Sequence, residues 1–536
     1  MSSKKIVIIG GGHNGLVAAA YLAKAGHKVT VLESRHQVGG AASTDTDTFP
    51  GFKISTASYL NSLFSSQIVR DLDLKRFGYE MLPREPSSFT PVPGSTKSLL
   101  LGKDTAFNQA QIAQFSKRDA EMYPRYEHEL GKIAEWVAAM MPMIPPSGPL
   151  PRKMSDIQSM FAFAHHVLRM IATPRRMYGL CKLLLTDPVK YLDSWFESDV
   201  LKATLITDAL IGTTKLSGYV LLHHVMGDAG SARGIWGYMR GSMGGISNAL
   251  ATACKELGVE IICDAHARRI TLIRTKTVSL VIANIRDSRC EIVTPRIFPA
   301  DIVVSTINPT TTFTKLLEGV HAVDDIRKKV VARDCESAST KVNLTLSGLP
   351  NFRAMPGTIP GPQHQGTIHI APSVAYILEA LRDYQEGRSS LRPILEITIP
   401  SVVDDTLAPK GRHVMNIFLQ FVKKGEDGQK YFRDVILPLM REYISNIDEI
   451  ITGVQILTPQ DLEREFGMVG GNIFHGGMGL KQLWWNRPAP GIADYRTPIK
   501  GFYLSGAGTH PGGGVCGYPG SNTARVILED LGYRNS

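Results

Sequence analysis

A β-branched run followed at once by a glycine-rich turn constrains the fold of this chain more than any other feature. Lys5–Ile9 reads KIVII, which suits a buried parallel strand. The next residues fit G-x-G-x-x-G and open a segment of helical composition that closes at Gly26, and Lys28–Leu32 predicts a second strand ending at Glu33. This order predicts a βαβ unit that binds a dinucleotide. A tight glycine turn in another α/β domain is the alternative.

Each part of the turn has a physical task in such a unit. Gly10 permits the tight turn, Gly12 lets the backbone approach a pyrophosphate, and Gly15 lets helix and strand pack closely. The helix N-terminus holds the phosphate charge with its free N–H groups and positive dipole end. An acid 18 residues after Gly15 can accept hydrogen bonds from ribose hydroxyls. The predicted cofactor-binding residues here are Gly10, Gly11, Gly12, Asn14, Gly15 and Glu33.

A second glycine pair follows the acid. The chain continues SRHQVGGAAS, so that Arg35 leads into Gly39, Gly40 and Ala41. These glycines let another loop approach the cofactor backbone. Such an extension is typical of FAD-binding oxidoreductases and is not needed for NAD alone. We add these four residues to the predicted cofactor-binding set, and the preference for FAD depends mainly on the family resemblance given below.

Composition narrows the functional classes. With 536 residues the chain is long enough for two or three structural units. The chain has 59 Lys and Arg residues and 49 Asp and Glu residues, so its formal charge is 59 − 49 = +10. This mild positive excess is compatible with anionic cofactors or a membrane surface. The sequence contains no Lys/Arg block that would indicate nucleic-acid binding. The six cysteines form no C-x-x-C pair and no zinc spacing, so we expect no metal site and a reduced compartment. No apolar stretch approaches the roughly 18 residues of a membrane span.

The rest of the chain predicts a split cofactor domain in an α/β fold. Residues 246–310 combine a helix with buried-strand candidates, and the strand candidate before the glycine-rich loop 505–517 leads into a last helix that Ser521 and Asn522 could cap. We therefore predict a Rossmann-type FAD-binding domain from residues 1–60, 236–310 and 496–536. Residues 61–235 and 311–495 would form an inserted substrate, or cap, domain with a mixed sheet plus helices.

The first insertion contains a connector and a helix pair. Pro and Met cluster over residues 140–154, which indicates a mobile or extended connector. Residues 159–186 mix apolar helix with cations such as Arg175 and Arg176. This pair could lie on a membrane surface where an apolar substrate enters. We favour the alternative, an amphipathic pair packed on the core.

Histidines are the remaining polar candidates. His510 lies in the glycine loop near the C-terminus and is our candidate catalytic residue, and His475 in GGNIFHGG comes next. Adjacent histidines on a helix point about 100° apart and cannot readily chelate together. We therefore expect His165–His166 and His223–His224 to serve in packing.

Several blocks resemble the carotenoid/retinoid oxidoreductase family, which includes bacterial-type phytoene desaturases. They are IGGGHNGLVAAAYL (9–22), QIAQFSKRDAEMYPRYE (111–127), WFESDVLKATLITDALIG (195–212), WGYMRGSMGGISNAL (236–250) and GAGTHPGGGVCG (506–517). The resemblance implies non-covalent FAD in a split Rossmann domain. It adds Ala267 at the adenine, and Gly506 and Gly508 by the flavin, to the cofactor-binding set.

The resemblance also implies an activity and a location. Relatives that are desaturases act on long polyenes, so we expect the flavin to accept a hydride from a carotenoid-, retinoid- or lipid-like substrate. A flavin amine oxidase and a non-catalytic flavoprotein that regulates respiratory components are the alternatives. The family further suggests a cytochrome c oxidase subunit as partner, effects on mitochondrial function, and the mitochondrial matrix. Because Met1–Lys5 shows no presequence, the cytoplasm is the alternative location.

Overall fold

The cofactor domain is built on a five-stranded parallel sheet. The computed structural model describes residues 2–151, 153–229, 234–274, 276–287 and 292–533. The strands follow the order Phe502–Leu504, Ile302–Ser305, Lys5–Ile9, Lys28–Leu32 and Glu260–Ile262, and every neighbouring pair is parallel. They come from the three segments assigned to the cofactor domain, whose boundaries stay a prediction.

Both faces of this sheet are covered. Ile6 and Ile8 pack toward three helices, whereas Val7 and Ile9 pack toward the opposite side. This burial on two faces explains why the first strand is a continuous hydrophobic run. The helices are His13–Lys24, Gly244–Glu256 and Tyr518–Asp530, and the other face is covered by the antiparallel strands Ala265–Ile273, Thr277–Arg286 and Val293–Pro299.

A seven-stranded mixed sheet joins the two insertions. Its strands follow the order Ile451–Leu457, Thr340–Leu346, His413–Gln420, Ile394–Thr398, Thr367–Ile370, Ser88–Pro91 and Ser98–Leu101. The last two strands belong to the first insertion, and Thr367–Ile370 pairs with Ser88–Pro91 in parallel. Two small antiparallel sheets complete the topology: Thr44–Asp45 pairs with Ile54–Ser55 inside the cofactor domain, and Met81–Pro83 of the first insertion pairs with Gly237–Met239 of the cofactor domain. The predicted α/β class, Rossmann-type unit and mixed-sheet insertion are confirmed.

The helices of the insertions form their own core beside this sheet. The longest is Lys117–Ala138, against which Pro174–Leu185 and Gly218–Val225 pack. Other helices of the first insertion are Ser66–Asp71, Thr105–Ala113, Met154–Ile171, Pro188–Asp193 and Asp199–Ile206. The second insertion contributes Asp324–Val331, Val374–Gln385, Leu437–Tyr443 and Pro459–Phe466, besides shorter turns. Within the described ranges, no helix is both long enough and apolar enough to cross a bilayer.

The helix pair of the first insertion packs on the core through few of its side chains. Met154–Ile171 buries only Asp156 and Met170, although Pro174–Leu185 buries Leu180 and Leu183. Met170, Leu180 and Leu183 belong to one hydrophobic core, so the pair packs on the core as expected, although most apolar side chains of the first helix are exposed. No helix or strand spans residues 140–151, in line with the predicted connector, but Met154 already belongs to the helix.

The start of the last helix corrects one prediction. Tyr518–Asp530 begins directly after Gly517, whose φ of +79° places it in the left-handed region. Ser521 and Asn522 lie inside the helix and do not cap it. The Asn522 amide donates instead to the Tyr495 hydroxyl at 2.9 Å. Gly517 ends the loop and Pro519 is the second residue of the helix, so the cap position lies four residues before Ser521.

Candidate nucleotide and substrate site

One cavity of 1580 Å³ connects the glycine turn with the mixed sheet. Ordinary ligand pockets measure roughly 300–1,000 Å³, so this space is large enough for more than a drug-sized molecule. Gly12 and Glu33 line one part of it, whereas His369 and Glu396, from neighbouring strands of the mixed sheet, line another. The cavity thus lies between the two domains.

The glycine turn has the shape of a diphosphate cradle. Gly10 has φ +103°, and a Cβ atom there would lie 2.5 Å from the Thr306 hydroxyl. A Cβ atom on Gly15 would lie 2.1 Å from the Gly10 carbonyl oxygen. At Gly12 the nearest atom to a Cβ would be the Gly39 carbonyl oxygen, at 3.9 Å. Gly10 and Gly15 are therefore required by the protein itself, whereas Gly12 faces open space at the N-terminus of His13–Lys24.

Backbone N–H groups hold the Glu33 carboxylate in place. The Gly11 N–H donates to Oε2 at 2.7 Å, and the Arg35 N–H donates to Oε1 at 2.9 Å. The Ser34 hydroxyl also donates to Oε1, at 3.3 Å. Because a carboxylate has about four acceptor sites, Oε2 keeps capacity for a further donor. Glu33 is buried yet lines the cavity, whereas Gly11 lies behind it and is not a lining residue. The arrangement suits a carboxylate that accepts hydrogen bonds from ribose hydroxyls.

The second glycine pair packs on the first. The Gly39 N–H donates to the Gly11 carbonyl oxygen at 2.9 Å, and Gly39 forms a parallel bridge with Gly12. The Arg35 guanidinium donates to the Gly40 carbonyl oxygen at 3.3 Å and lies over the Phe466 ring at 4.6 Å. Arg35 thus fixes this loop, and it lines the cavity together with Asn14, Gly39, Gly40 and Ala41.

Ala267 and the C-terminal loop take up different positions. Ala267 lines the cavity close to the acid, because the nearby Ala265 N–H donates to the Glu33 carbonyl oxygen at 2.8 Å. In the C-terminal loop Ala507 lines the cavity, whereas Gly506 and Gly508 do not. Cβ atoms on these two glycines would lie 2.2 Å from the Thr306 carbonyl oxygen and 2.3 Å from Pro309. They allow the loop to pack closely, and the residue between them faces the cavity.

The two candidate histidines differ in accessibility. The His510 ring lies 3.0 Å from the Met140 carbonyl oxygen, packs edge-on against Trp484, and is not a lining residue. His475 lines the cavity, and its Nδ1 has no hydrogen-bond partner in the described part of the chain. Burial lowers the pKa of both imidazoles to about 4. Both rings are neutral at pH 7, and no metal-binding group of three or more ligands occurs among the described residues.

Comparison with known proteins identifies the family. A model described as an NAD(P)-binding Rossmann-like domain matches residues 8–72. Pyridine nucleotide-disulfide oxidoreductase domain-containing protein 2 from Rattus norvegicus is 40% identical over 98% of this chain and 93% of its own length. This chain belongs to that family. Lycopene-forming phytoene desaturase from Pseudescherichia vulneris is 28% identical over 98% of the chain and 100% of its own.

A solved structure supports the fold of this oxidoreductase family. Cyclohexylamine oxidase from Brevibacterium oxydans is 15% identical, with a TM-score of 0.55 over 99% of this chain and 100% of its own. The family name mentions a disulfide. Yet Cys181, Cys254, Cys263, Cys335 and Cys516 are free thiols, and Cys290 lies outside the described residues. Neither Cys335 nor Cys516 lines the cavity, so these thiols do not form a redox pair there.

Sequence reasoning missed two groups of cavity residues. His13 lies inside the G-x-G-x-x-G turn, is buried, and its Nε2 has no partner among the described residues. The sequence could have indicated this residue, because His13 occupies an x position of the motif and is the first residue of the helix that follows the turn. The second group is a polar wall at the mixed sheet, which we define as Tyr59, Arg84, Asp208, His369 and Glu396. These residues come from distant segments, and no local motif could have found them.

Proposed function

We propose that the chain is a FAD-dependent oxidoreductase that oxidises a largely apolar substrate. The observation that carries this proposal is the pairing of an open Gly12 with a Glu33 carboxylate held by the Gly11 N–H. The diphosphate of a dinucleotide needs the first feature, and its ribose needs the second. Membership in an oxidoreductase family supports a redox role for such a site.

The residues present fit FAD. Gly12 and the N-terminus of His13–Lys24 would hold the diphosphate, Glu33 the ribose, and Ala267 the adenine. Ala507 and the C-terminal loop, together with the unpartnered Nδ1 of His475, would face the flavin part of the cavity. FAD, when bound, would supply a two-electron acceptor. The identification of FAD rather than NAD follows the family resemblance and the second glycine pair.

The protein contributes binding, orientation and exclusion of water. Neutral, buried His13 and His475 put no charge beside the bound cofactor at pH 7, because burial lowers the pKa of each to about 4. Substrate oxidation releases a hydride equivalent and a proton, and an oxidant of the O₂ or quinone class has to take up the electrons.

The lining of the cavity supports an apolar substrate body. Large apolar side chains reach it from helices, loops and the mixed sheet: Leu63, Tyr126, Leu130, Leu221, Trp236 and Phe418. The name of one relative, a lycopene-forming phytoene desaturase, agrees with a carotenoid-, retinoid- or lipid-like molecule. Amine oxidation is the second candidate, in line with the name of the structural neighbour. A mitochondrial matrix location and a cytochrome c oxidase subunit as partner remain proposals from the family.

The visible absorption spectrum of the purified protein tests the cofactor. We expect the two absorption bands of oxidised flavin, released by denaturation because the FAD is not covalently bound. Anaerobic photoreduction followed by a screen of polyenes and amines then tests for turnover. A colourless protein that cannot be reconstituted with FAD contradicts the proposal. Stoichiometric FAD with no turnover, together with a stable protein complex, favours the regulatory alternative.

A further inference from the structure

The polar wall lies in a cavity that is otherwise largely apolar. Arg84, His369 and Glu396 are each less than 10% exposed, and all three line the cavity. His369 and Glu396 face each other across neighbouring strands, with Nδ1 and Oε1 4.0 Å apart. A pure hydrocarbon in this space would leave these polar groups without partners, which is costly in an apolar surrounding.

The protein satisfies these groups unequally. The Tyr59 hydroxyl donates to Glu396 Oε2 at 3.0 Å. Two nitrogen atoms of Arg84 donate to the Trp236 carbonyl oxygen and to the Thr367 hydroxyl. By contrast, no side-chain hydrogen bond or ion pair reaches the Asp208 carboxylate from the described ranges. The wall therefore offers a ligand an unpaired carboxylate, whereas its single guanidinium is already engaged.

Charge gives the class of ligand that fits. Arg84 contributes one positive charge and the two carboxylates contribute two negative charges when ionised, so the net formal charge is 1 − 2 = −1. Burial raises the pKa of both Asp208 and Glu396 to about 7, and the two carboxylates repel each other's charge. A cation between them would relieve this repulsion and replace the lost hydration.

We infer that the substrate carries a basic nitrogen on its apolar body, and that Asp208 and Glu396 bind this nitrogen as a cation. The inference rests on the proposed function, because it names the substrate class of the same cavity. It places the apolar part of the substrate against the aromatic and leucine side chains and the ammonium group at the mixed sheet. Both carboxylates bind the substrate and take no part in its oxidation.

The test compares n-octylamine with octan-1-ol, which differ only in the charged group. Binding is measured at pH 8 by isothermal titration calorimetry on the purified protein, with FAD content determined separately. We expect the amine to bind at least about tenfold more tightly, and Asp208→Asn to remove that difference. Asp405→Asn, at an exposed position, is the matched control. Circular dichroism shows whether each variant is folded. If Asp208→Asn does not fold, the same measurement is made on Glu396→Gln.

Equal binding of amine and alcohol by the folded protein overturns the inference, as does an amine preference that survives in both carboxylate variants. If the protein has no flavin yet prefers the amine, the inference stands and the proposed function fails. If it has flavin without the preference, the proposed function stands and the inference fails.

A separate observation concerns the exposed helix Met154–Ile171. Phe161 is 72% exposed, Leu168 64% and Ile171 53%. With Met154, Ile157 and Ala164 they repeat at spacings of three and four residues, which places them along one face. On the neighbouring helix Tyr178 and Leu185 are also exposed. We call this set the apolar face; it comprises Met154, Ile157, Phe161, Ala164, Leu168, Ile171, Tyr178 and Leu185.

The charges around the apolar face identify its partner. Residues 153–186 contain five cations and one acid, so their formal charge is 5 − 1 = +4, and the acid, Asp156, is buried. Arg169, Arg176 and Lys182 have no ion-pair partner in the part of the chain that the structure describes. In a symmetric dimer the same surface meets itself, which would place this positive charge against its copy. An anionic lipid bilayer instead complements both the apolar side chains and the cations.

We propose that the apolar face docks on an anionic bilayer surface. Sedimentation with phosphatidylcholine vesicles containing phosphatidylglycerol should recover the protein, with about tenfold weaker binding to pure phosphatidylcholine. Phe161→Ser/Leu168→Ser should abolish recovery. Ile359→Ser/Leu391→Ser, at positions exposed to a similar degree elsewhere, is the matched control and should bind normally. Equal recovery of both double variants contradicts the proposal, as does a dimer in light scattering that only Phe161→Ser/Leu168→Ser dissociates.

Discussion

The Arg487 guanidinium donates a hydrogen bond to the Ala507 carbonyl oxygen at 2.7 Å. Ala507 lines the cavity, whereas Arg487 is fully buried behind it. The same guanidinium also donates to five other carbonyl oxygens in two loops: those of Phe474, Gly476, Gly477, Gln482 and Thr509. One side chain thus holds the C-terminal glycine loop against the segment that carries His475.

Replacing this arginine should separate the two loops. Arg487→Lys keeps a cation but cannot bridge six oxygens, because an ammonium has three donors and no planar fork. We expect the free energy of unfolding in urea to fall by about 3 kcal/mol, with a matching loss of bound FAD. Arg441→Lys, at an exposed position that does not line the cavity, should change neither quantity. An unchanged Arg487→Lys protein would show that the loops hold their positions without this contact.

Gly12→Val should prevent cofactor binding while leaving the protein folded. The position has open space in the protein, but that space is where a diphosphate has to approach the backbone. We expect the flavin absorbance of the purified variant to disappear and circular dichroism to stay unchanged. Gly479→Val is the control, since a Cβ atom there meets nothing within 4 Å and the residue is exposed. Retention of FAD by Gly12→Val would refute the assigned diphosphate site.

Glu33→Gln should weaken cofactor binding by about tenfold. The amide oxygen can still accept from the Gly11 N–H, but the amide NH₂ then faces the Arg35 N–H, so one anchor of the side chain is lost. Fluorescence titration of the apoprotein with FAD measures the change. Glu260→Gln, an exposed acid on the neighbouring strand, should bind FAD as tightly as the unmodified protein. Equal affinities for Glu33→Gln and Glu260→Gln would remove the ribose assignment.

Stability should fall as the medium becomes acidic. Burial lowers the pKa of four histidines, His13, His224, His475 and His510, to about 4. Each gains a proton below about pH 6.5 only after unfolding, so the unfolded state binds more protons between pH 6.5 and 4. Asp208 and Glu396 have the opposite effect on stability, because burial raises the pKa of each to about 7 and the folded state therefore binds their protons first. These two carboxyl groups are outnumbered by the four histidines. We expect the urea midpoint to decrease from pH 7 to pH 5, and His510→Gln to reduce that decrease. A flat profile would contradict the burial of these rings as neutral groups.

Local patterns predicted the cofactor domain because its elements are specified locally. Lys5–Ile9 and Lys28–Leu32 were predicted to the residue, since strands buried on both faces are short apolar runs between turn signals. Thr367–Ile370 was not found, because His369 interrupts its apolar pattern and its function lies in a tertiary contact. The helix Met154–Ile171 was recognised as amphipathic, but periodicity does not say whether an apolar face meets protein or solvent.

The polar wall could not be predicted from the sequence. Arg84, Asp208 and Glu396 lie more than one hundred residues apart and belong to a short strand connection, a helix end and a mixed-sheet strand. Each alone resembles an ordinary surface charge. Only the tertiary structure buries them together and thereby shifts the pKa of the two carboxylates.

The parallel pairing of Thr367–Ile370 with Ser88–Pro91 has a consequence for biosynthesis. During translation, nearly 280 residues are added after Ser88–Pro91 before its partner strand is complete. About 300 residues separate Lys5–Ile9 from its partner Ile302–Ser305. Pairings of such sequence separation form slowly and leave unpaired edges and apolar surface exposed during translation. We therefore expect newly made chains to depend on chaperones until the last segment, with Phe502–Leu504, has emerged.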